Sequence, residues 1–236
     1  ILTLAVRREQ QFKRARELFL AGATHELKTP LACLRLYTET LQRPELDDSH
    51  RGKIMSSMIE DMDRLENIIE QVLSGSSEEN IGGGKIEIFD VRQETELIVD
   101  EISRFVADNN ATVTLALQDD CRMSGNRSTL GVALRNLMRN AVLYAEPAEI
   151  SITLRKKDNR LLLSVSDNGP GIEKKDQKRI FESFQRIENS NNSAGSGLGL
   201  YLVTRAVKSL DGSVSLASEP GIGSTFTLNL PAIEVK

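Results

Sequence analysis

The stretch THELKTPL, residues 24–31, lies inside a longer helical pattern and decides how the first third of the chain folds. Leucines recur there every seven residues and alternate with a second set three or four residues away: Leu20, Leu27, Leu34 and Leu41, with Thr24, Leu31 and Thr38 between them. This alternation is typical of helices that pack in a bundle, and it predicts a helix over about residues 8–43.

A second helix is predicted after the break at Pro44, Asp47 and Asp48, with Ser49 as its cap. Its apolar positions repeat the same spacing: Ile54, Met58, Leu65, Ile68 and Val72, flanked by Met55, Met62 and Ile69. Two antiparallel helices leave much of this wide apolar face open to water. We therefore expect the hairpin to pair with a second copy as a dimeric four-helix bundle.

The sequence SGSSEENIGGG, residues 74–84, separates the hairpin from a region of different character. Its three successive glycines predict a flexible linker and a domain boundary. The expected domains are a juxtamembrane or linker helix at 1–14, the hairpin at 15–75, the linker at 76–84 and a second domain at 85–236.

The second domain alternates between strand and helix patterns. Strands are predicted at 85–89, 111–117, 149–156, 160–167, 213–218 and 224–230, and helices at about 91–110, 128–144 and 198–210. Elements mixed in this way predict a sheet covered on one face by helices. The expected fold class is α + α/β.

Composition excludes several classes of function. The net charge of −4 leaves no basic excess to neutralise phosphates, which argues against nucleic acid as a partner. Two distant cysteines, Cys33 and Cys121, and two histidines, His25 and His50, provide neither a disulfide framework nor a zinc site. A reducing, cytoplasmic location fits this cysteine usage.

The apolar start of the chain, Ile1–Val6, is followed by Arg7 and Arg8. Six residues are too few to span a bilayer, which needs about twenty. The segment is either a helix start or the end of a transmembrane helix with its positive flank. A membrane contact is expected only through a missing N-terminal region.

His25 is the residue with the clearest chemical potential in the hairpin. Glu26 lies beside it and can fix the tautomer of a neutral imidazole, which leaves the free ring nitrogen nucleophilic. Thr29 shares the helix face of His25 and can hold a water near it. Pro30 interrupts the backbone hydrogen bonding of the helix and predicts a bend. Taken alone, however, a helical histidine is most often a plain surface or core residue.

In the second domain, Asn136, Asn140 and Tyr144 are spaced by four on a predicted helix and line one stripe. Carboxamide oxygens suit Mg²⁺, which prefers oxygen ligands, although scattered amides on a polar helix face are equally common.

Asp167 ends a predicted strand and is followed by Gly169 and Gly171. A carboxylate there can accept a hydrogen bond from an exocyclic amine, and the glycines allow a ring to approach the backbone closely. Without further context, the sequence Asp-Asn-Gly-Pro-Gly indicates no more than a turn.

Gly195, Gly197 and Gly199 enter a predicted helix, where free N–H groups attract an anion. This loop lacks the pattern of a P-loop or a dinucleotide fold, so it is weak evidence alone. Arg186 precedes it and can stabilise phosphate charge, while Phe181 and Phe184 are most simply core contacts.

Residues 25–31 match, at every position, the H-box of the sensor histidine kinases of two-component systems. The resemblance implies that His25 is the phosphoacceptor, that Glu26 is the assisting base and that Thr29 supports phosphatase action. Lys28 and Pro30 would support the helix geometry. It also implies transfer of the phosphoryl group to an aspartate in the receiver domain of a response regulator.

The four motifs of the second domain resemble, in order, the N, first glycine, F and second glycine boxes of the Bergerat-type ATP-binding fold. This implies ATP and Mg²⁺ as cofactors, with Asn140 on the metal, Asn136 near the phosphates, Tyr144 bordering the nucleotide and Asp167 reading the adenine amine. Residues 187–196 would form the ATP lid.

One position departs from the family pattern, because Leu143 stands where a basic residue usually helps to bind phosphate. We expect weaker binding of ATP as a result. Two alternatives to a kinase stay open at this point. One is a dimeric signalling module in which ATP sets only the conformation, and the other is a free ATPase.

Overall fold

The structure is a computed structural model that describes residues 23–24, 27–42, 46–76, 85–182 and 197–233. The chain divides into two compact units, Ile1–Ser76 and Ser77–Lys236.

The described residues of the first unit form two helices. Residues 27–41 form α1, preceded by helical residues 23–24, and Asp48–Ser76 form the 29-residue α2. The carboxylate of Asp47 accepts a hydrogen bond from the N–H of His50 at 2.8 Å and lies 2.7 Å from Nδ1 of the same histidine. Asp47 therefore caps α2, and the prediction of Ser49 was wrong because Ser49 already lies inside the helix.

Arg51 connects the two helices of the hairpin. Its guanidinium donates to the carbonyl of Leu46 at 3.2 Å and to the carbonyl of Leu41, the last residue of α1, at 3.4 Å. Both carbonyls belong to the end of α1 or to the turn, where no helical N–H is available to them. Arg51 therefore holds the start of α2 against the end of α1.

The second unit contains most of the regular structure. Its elements are β1 (Glu87–Asp90), α3 (Val91–Glu101), α4 (Ser103–Asp108), β2 (Thr112–Leu117), β3 (Arg122–Gly125), α5 (Arg127–Tyr144), β4 (Glu149–Lys157), β5 (Arg160–Asp167), a 3₁₀ turn (Arg179–Phe181), α6 (Gly199–Ser209), β6 (Ser213–Glu219) and β7 (Gly223–Pro231).

Five strands form the main sheet in the order β2-β4-β5-β7-β6. The pair β2–β4 is parallel and the other pairs are antiparallel. Strands β1 and β3 form a separate antiparallel ribbon. The long antiparallel pairs in the centre place the carboxyl end of β5 beside the turn between β6 and β7.

Helices α5 and α6 pack against each other and against the sheet. The sheet contributes the alternate residues of its inner face to the core: Ile150, Ile152, Leu154, Leu161, Leu163, Val165, Phe226, Leu228 and Leu230. The expected α + α/β class, with helices covering one face of a sheet, is confirmed by this arrangement.

Two elements differ from the sequence prediction. The helix predicted over 91–110 is broken at Ile102, whose ψ of 6° is not helical, and no glycine or proline marks the break. Strand β3 was not predicted, because its four residues acquire strand geometry by pairing with β1, more than thirty positions earlier. None of the helices in the described part of the chain combines the length and apolarity needed to cross a membrane.

Candidate functional site

The stretch around His25 is described only in part. His25 and Glu26 lie outside the described residues, so their predicted roles stay predictions. Helix α1 is continuous from residue 27 to residue 41, with Pro30 buried and Lys28 and Thr29 exposed. The Thr29 side chain is therefore accessible from solvent.

Asp167 lies at the carboxyl end of β5 and is the central carboxylate of the second unit. Its Oδ1 atom accepts hydrogen bonds from the N–H of Gly169 at 2.9 Å and the N–H of Ser224 at 3.3 Å. Within the part of the chain that the structure describes, Oδ2 receives no hydrogen bond. One oxygen is fixed by the protein and the other remains available to a ligand.

Burial determines the electrostatic character of this carboxylate. It raises the pKa of Asp167 above the ordinary value of 3.8, and the N–H groups of Gly169 and Ser224 lower it in part. A carboxylate that has lost much of its hydration benefits from any N–H donor that reaches it. The amino group of a purine base is such a donor.

Gly169 and Gly171 lie so close to other parts of the protein that a side chain at either position would meet neighbouring atoms. A Cβ atom at Gly169 would lie 2.8 Å from Oδ1 of Asp167 and 3.2 Å from the carbonyl oxygen of Tyr144. Gly171 has a φ of +68°, and a Cβ atom there would overlap the carbonyl of Glu219. The described contacts of these glycines are thus with the protein itself, namely the Asp167 side chain and the backbone of Tyr144 and Glu219, whereas the sequence suggested room for a ring.

The amides of α5 meet the start of α6. Asn136 donates from Nδ2 to the carbonyl of Val132 at 2.8 Å. A Cβ atom at Gly199 would lie 3.1 Å from Oδ1 of Asn136 and 3.5 Å from Oδ1 of Asn140. A side chain at Gly199 would therefore crowd the carboxamide of Asn136 and touch that of Asn140.

The first turn of α6 provides donors for an anion. Gly197 adopts a φ of +70°, Leu198 is buried and the helix begins at Gly199. The carbonyl of Leu198 accepts the first intrahelical bond, from the N–H of Leu202 at 2.9 Å. The first N–H groups of a helix point out of its N-terminal end and attract an anion, so this end of α6 favours a phosphate.

Short contacts join these parts into one continuous site. Gly169 lies against the carbonyl of Tyr144, which is one helical turn beyond Asn140, and Asn140 faces Gly199. From Asn136 to Tyr144, α5 rises about 12 Å. The site therefore extends along one helix, with a carboxylate at one end and amide oxygens and helix N–H groups at the other.

The oxygen atoms of the site suit a cation that keeps most of its water better than one held entirely by protein ligands. The described residues contain no group of three or more His, Cys, Asp or Glu that could hold a metal ion. The Oδ1 atom of Asn140 beside the start of α6 suits Mg²⁺, which keeps most of its water and binds few protein ligands when phosphates are present.

Ser224 and Ser218 are site residues that the sequence did not reveal. Ser224 is 6% exposed and lies opposite Asp167 in the β5–β7 pair, while Ser218 lies opposite Ser224 in the β6–β7 pair. The alternation of side chains along β7 places Ser224 on the same face as Phe226, which the sequence can predict. That Ser224 lies beside Asp167 follows only from the register of the β5–β7 pair.

Several predicted site residues are not placed. Arg186 and Gly195 lie outside the described residues, as do the predicted lid positions 187–196. The structure thus brings together Asn136, Asn140, Tyr144, Asp167, Gly169, Gly171, Gly197 and Gly199.

Two protein families match the chain. The histidine kinase-, DNA gyrase B- and HSP90-like ATPases match residues 125–234, and the His Kinase A (phospho-acceptor) domain matches residues 15–80. The first covers all of the candidate site from Asn136 to Ser224, and the second contains His25.

A protein similar to this chain over most of its length is named a histidine kinase. The sensor-like histidine kinase SenX3 of Mycolicibacterium smegmatis is 31% identical over 94% of this chain and 59% of its own length. The chain thus spans little more than half the length of this relative.

Solved structures share the fold. Histidine kinase AdeS of Acinetobacter baumannii superposes with a TM-score of 0.66 at 21% identity, over 89% of this chain and 98% of its own. Histidine kinase ThkA, in complex with response regulator protein TrrA, gives a TM-score of 0.69 at 17% identity, over 99% of this chain and 68% of that one.

Replacing Gly171 by alanine is expected to cost several times more stability than replacing Gly221. Both have positive φ, +68° and +78°, but a Cβ atom at Gly221 meets nothing within 4 Å. Gly221→Ala should lower the free energy of unfolding by about 1–2 kcal/mol through the left-handed backbone alone. Gly171→Ala must also move the turn away from Glu219. Urea denaturation of the two variants measures the difference, and equal costs would show that the close approach is unimportant.

Asp167→Asn is expected to gain stability relative to the native chain as the pH rises from about 4 to about 7. Because burial raises the pKa of Asp167, the folded protein binds its proton more tightly than the unfolded chain does. The stability contributed below the unfolded pKa is lost as the pH rises through the folded pKa, and asparagine does not titrate. Urea denaturation without nucleotide tests this, with the exposed Asp100→Asn as control. Parallel pH profiles of Asp167→Asn and the native chain would contradict the expectation.

Proposed function

The chain belongs to the histidine kinases of two-component signal transduction, and from that premise we propose that it uses ATP to phosphorylate His25. The observation that carries the proposal is the continuous site along α5, which offers acceptors to a base at Asp167 and donors to phosphates at Gly199. An extended nucleotide is complementary to this arrangement, because its base carries a donor amino group at one end and its phosphates carry acceptor oxygens at the other.

The base would bind at Asp167. The adenine amino group donates to Oδ2, while the N–H groups of Gly169 and Ser224 keep Oδ1 in place. Tyr144, which is 37% exposed at the end of α5, borders the base or the ribose. Because the carboxylate is poorly hydrated, loss of the hydrogen bond from the adenine amino group would reduce the binding free energy more than the same loss at the surface.

The phosphates would bind where α5 meets α6. The N–H groups around Gly197–Gly199 donate to phosphate oxygens, and the carboxamide of Asn136 lies beside them. Mg²⁺, held through Asn140, would neutralise charge on the transferred phosphoryl group. We also propose Arg186 and Gly195 as phosphate contacts, which rests on their sequence motifs.

Phosphoryl transfer follows from positioning. A nitrogen of the His25 imidazole attacks the γ-phosphorus, an N–P bond forms, and the bond to the β-phosphate oxygen breaks to release ADP. Glu26 holds the ring in the required tautomer and accepts the proton from the other nitrogen. Most of the rate enhancement in such a reaction comes from orientation and charge stabilisation.

A homodimer through the hairpin is part of the proposal. Large apolar side chains remain exposed on α1 and α2: Leu31, Leu36, Met55, Ile59, Met62 and Ile69, between 46% and 62%. Contiguous exposed apolar surface on a pair of helices marks an interaction site. A second hairpin would bury it as a four-helix bundle.

The phosphoryl group would then pass to an aspartate of a response regulator receiver domain. The structure of ThkA in complex with a response regulator protein supports this partner by analogy of fold. The exposed Thr29, one turn after His25 in the sequence, would serve hydrolysis of the regulator's phosphoaspartate. A cytoplasmic location and the domain boundaries near residues 75 and 85 stay predictions.

His25→Gln is expected to abolish incorporation of acid-labile phosphate from γ-labelled ATP while leaving ATP binding intact. Glutamine keeps a polar side chain of similar length but has no nitrogen of comparable nucleophilicity. Labelling of the native chain and the variant, with binding measured in parallel by calorimetry, tests the central claim. His50→Gln is the matched control, since it replaces the other histidine of the chain.

Two other results would redirect the proposal. Equal labelling of native chain and His25→Gln would remove His25 from the reaction. ATP hydrolysis that survives His25→Gln without any labelling of the native chain would favour a free ATPase, and binding without labelling or hydrolysis would favour a signalling module.

Leu143→Lys is expected to tighten ATP binding about threefold to fivefold at low salt, since a partly exposed ion pair contributes up to about 1 kcal/mol. Leu143 lies three residues after Asn140 on α5, hence on the side of the helix that carries the phosphate end of the site. Adenosine, which has no phosphates, should bind the variant and the native chain equally.

Leu143→Met is the matched control, because it keeps an apolar side chain of similar size. The gain in Leu143→Lys should shrink as salt screens the new charge. Unchanged ATP affinity in Leu143→Lys would show that the helix N–H groups and other phosphate contacts already suffice.

A further inference from the structure

We propose that Ser218 is a positioning residue that directs the Ser224 hydroxyl proton away from Asp167, and so sets the preference for an amino-bearing purine over one with a carbonyl at the same position. The inference rests on the proposed binding of ATP at Asp167. It concerns a residue of β6 that makes no contact with the ligand in the proposed pose.

A row of side chains crosses the end of the sheet. The register pairs Asp167 of β5 with Ser224 of β7, and Ser224 with Ser218 of β6. Residues directly opposite each other in adjacent strands point to the same face, with Cβ atoms about 5 Å apart. Ser218, Ser224 and Asp167 therefore form a polar row on the inner face of the sheet.

The hydrogen bonds of Ser218 fix the direction of every proton in this row. Its Oγ atom accepts the N–H of Ile172 at 2.8 Å, lies 2.9 Å from the carbonyl oxygen of Gly223 and lies 3.0 Å from Oγ of Ser224. A carbonyl oxygen can only accept, so Ser218 donates its single hydrogen to Gly223. The contact with Ser224 is then a hydrogen bond only if Ser224 is the donor.

The consequence is that Ser224 presents lone pairs, and no proton, to the rest of the site. Its backbone N–H already donates to Oδ1 of Asp167. With the hydroxyl proton committed to Ser218, Oδ2 of Asp167 has no competing donor from its own strand partner. This end of the site then offers acceptors alone, which suits an amino group and repels a carbonyl oxygen.

Gln177 holds Ser218 from a second direction. Its Nε2 atom donates to the carbonyl of Ile172 at 2.9 Å and to the carbonyl of Ser218 at 3.1 Å. Ile172 and Ser218 are thus joined both through the Ser218 hydroxyl and through the Gln177 amide. The position of the Ser218 oxygen is fixed by this double connection, and so is the acceptor that Ser224 uses.

Ser218→Ala removes that acceptor and frees the Ser224 proton. After rotation about its Cα–Cβ bond, we expect the freed hydroxyl to turn towards the carboxylate of Asp167, the residue directly opposite Ser224. An O–H···O⁻ bond formed there would compete with the adenine amino group. We expect the dissociation constant of ATP to rise about fivefold, and the ratio of the ITP and ATP dissociation constants to fall at least about threefold.

The test measures ATP and ITP binding by calorimetry on the 236-residue chain. Ser218→Thr keeps the hydroxyl and should retain the native ratio. Ser215→Ala makes the same change on the exposed opposite face of β6 and should alter neither affinity. The double variant Ser218→Ala with Ser224→Ala removes the freed proton, and should discriminate between ATP and ITP better than Ser218→Ala alone.

An unchanged ratio in Ser218→Ala would overturn the inference, as would an equal loss of ATP and ITP affinity with no recovery in the double variant. If Ser218→Ala does not fold, Ser218→Cys keeps the size of the side chain but replaces the oxygen by a weak acceptor, and the same ratio is measured. Failure of the native chain to bind ATP would instead contradict the proposed function.

Discussion

The candidate site depends on how α5 packs, because this one helix contributes both to the core and to the site. The inner face of α5 carries Leu130, Leu134, Leu137 and Met138, whose side chains are fully buried. Burial of each such side chain contributes about 1.5–3 kcal/mol, so this face alone contributes an amount comparable to the net stability of a domain. That packing leaves the helix little freedom to rotate. This packing therefore holds Asn136 and Asn140 against Gly199, and no hydrogen bond from either amide to α6 is required.

The end of the sheet obeys a different constraint. Along β5 and β7 the inner face is apolar up to Val165 and Phe226, and the next row is Asp167 and Ser224. A carboxylate at this position loses hydration, which the N–H groups of Gly169 and Ser224 offset in part. The protein satisfies one oxygen of this carboxylate and leaves the other open to a ligand.

Local patterns predicted much of this architecture. The period of the apolar residues located α5, α6 and the central strands nearly to the residue, since those elements are long and amphipathic. Short elements were less predictable. Strand β3 acquires its geometry from β1, and the break at Ile102 has no local signal. The cap at Asp47 was misassigned to Ser49, because both residue types cap helices and the choice depends on where the backbone turns.

By itself the sequence determined which residues are candidates for chemistry: the stretch around His25, the amides spaced by four, Asp167 and the glycines before α6. These are set by local spacing, which a helix or a strand end converts directly into a shared face. The tertiary structure alone decided that Gly171 makes room for the carbonyl of Glu219, and that Ser218 and Ser224 join Asp167 in one row. Strand register and the crossing of turns bring together residues some fifty positions apart, and no periodicity within a single segment encodes such a contact.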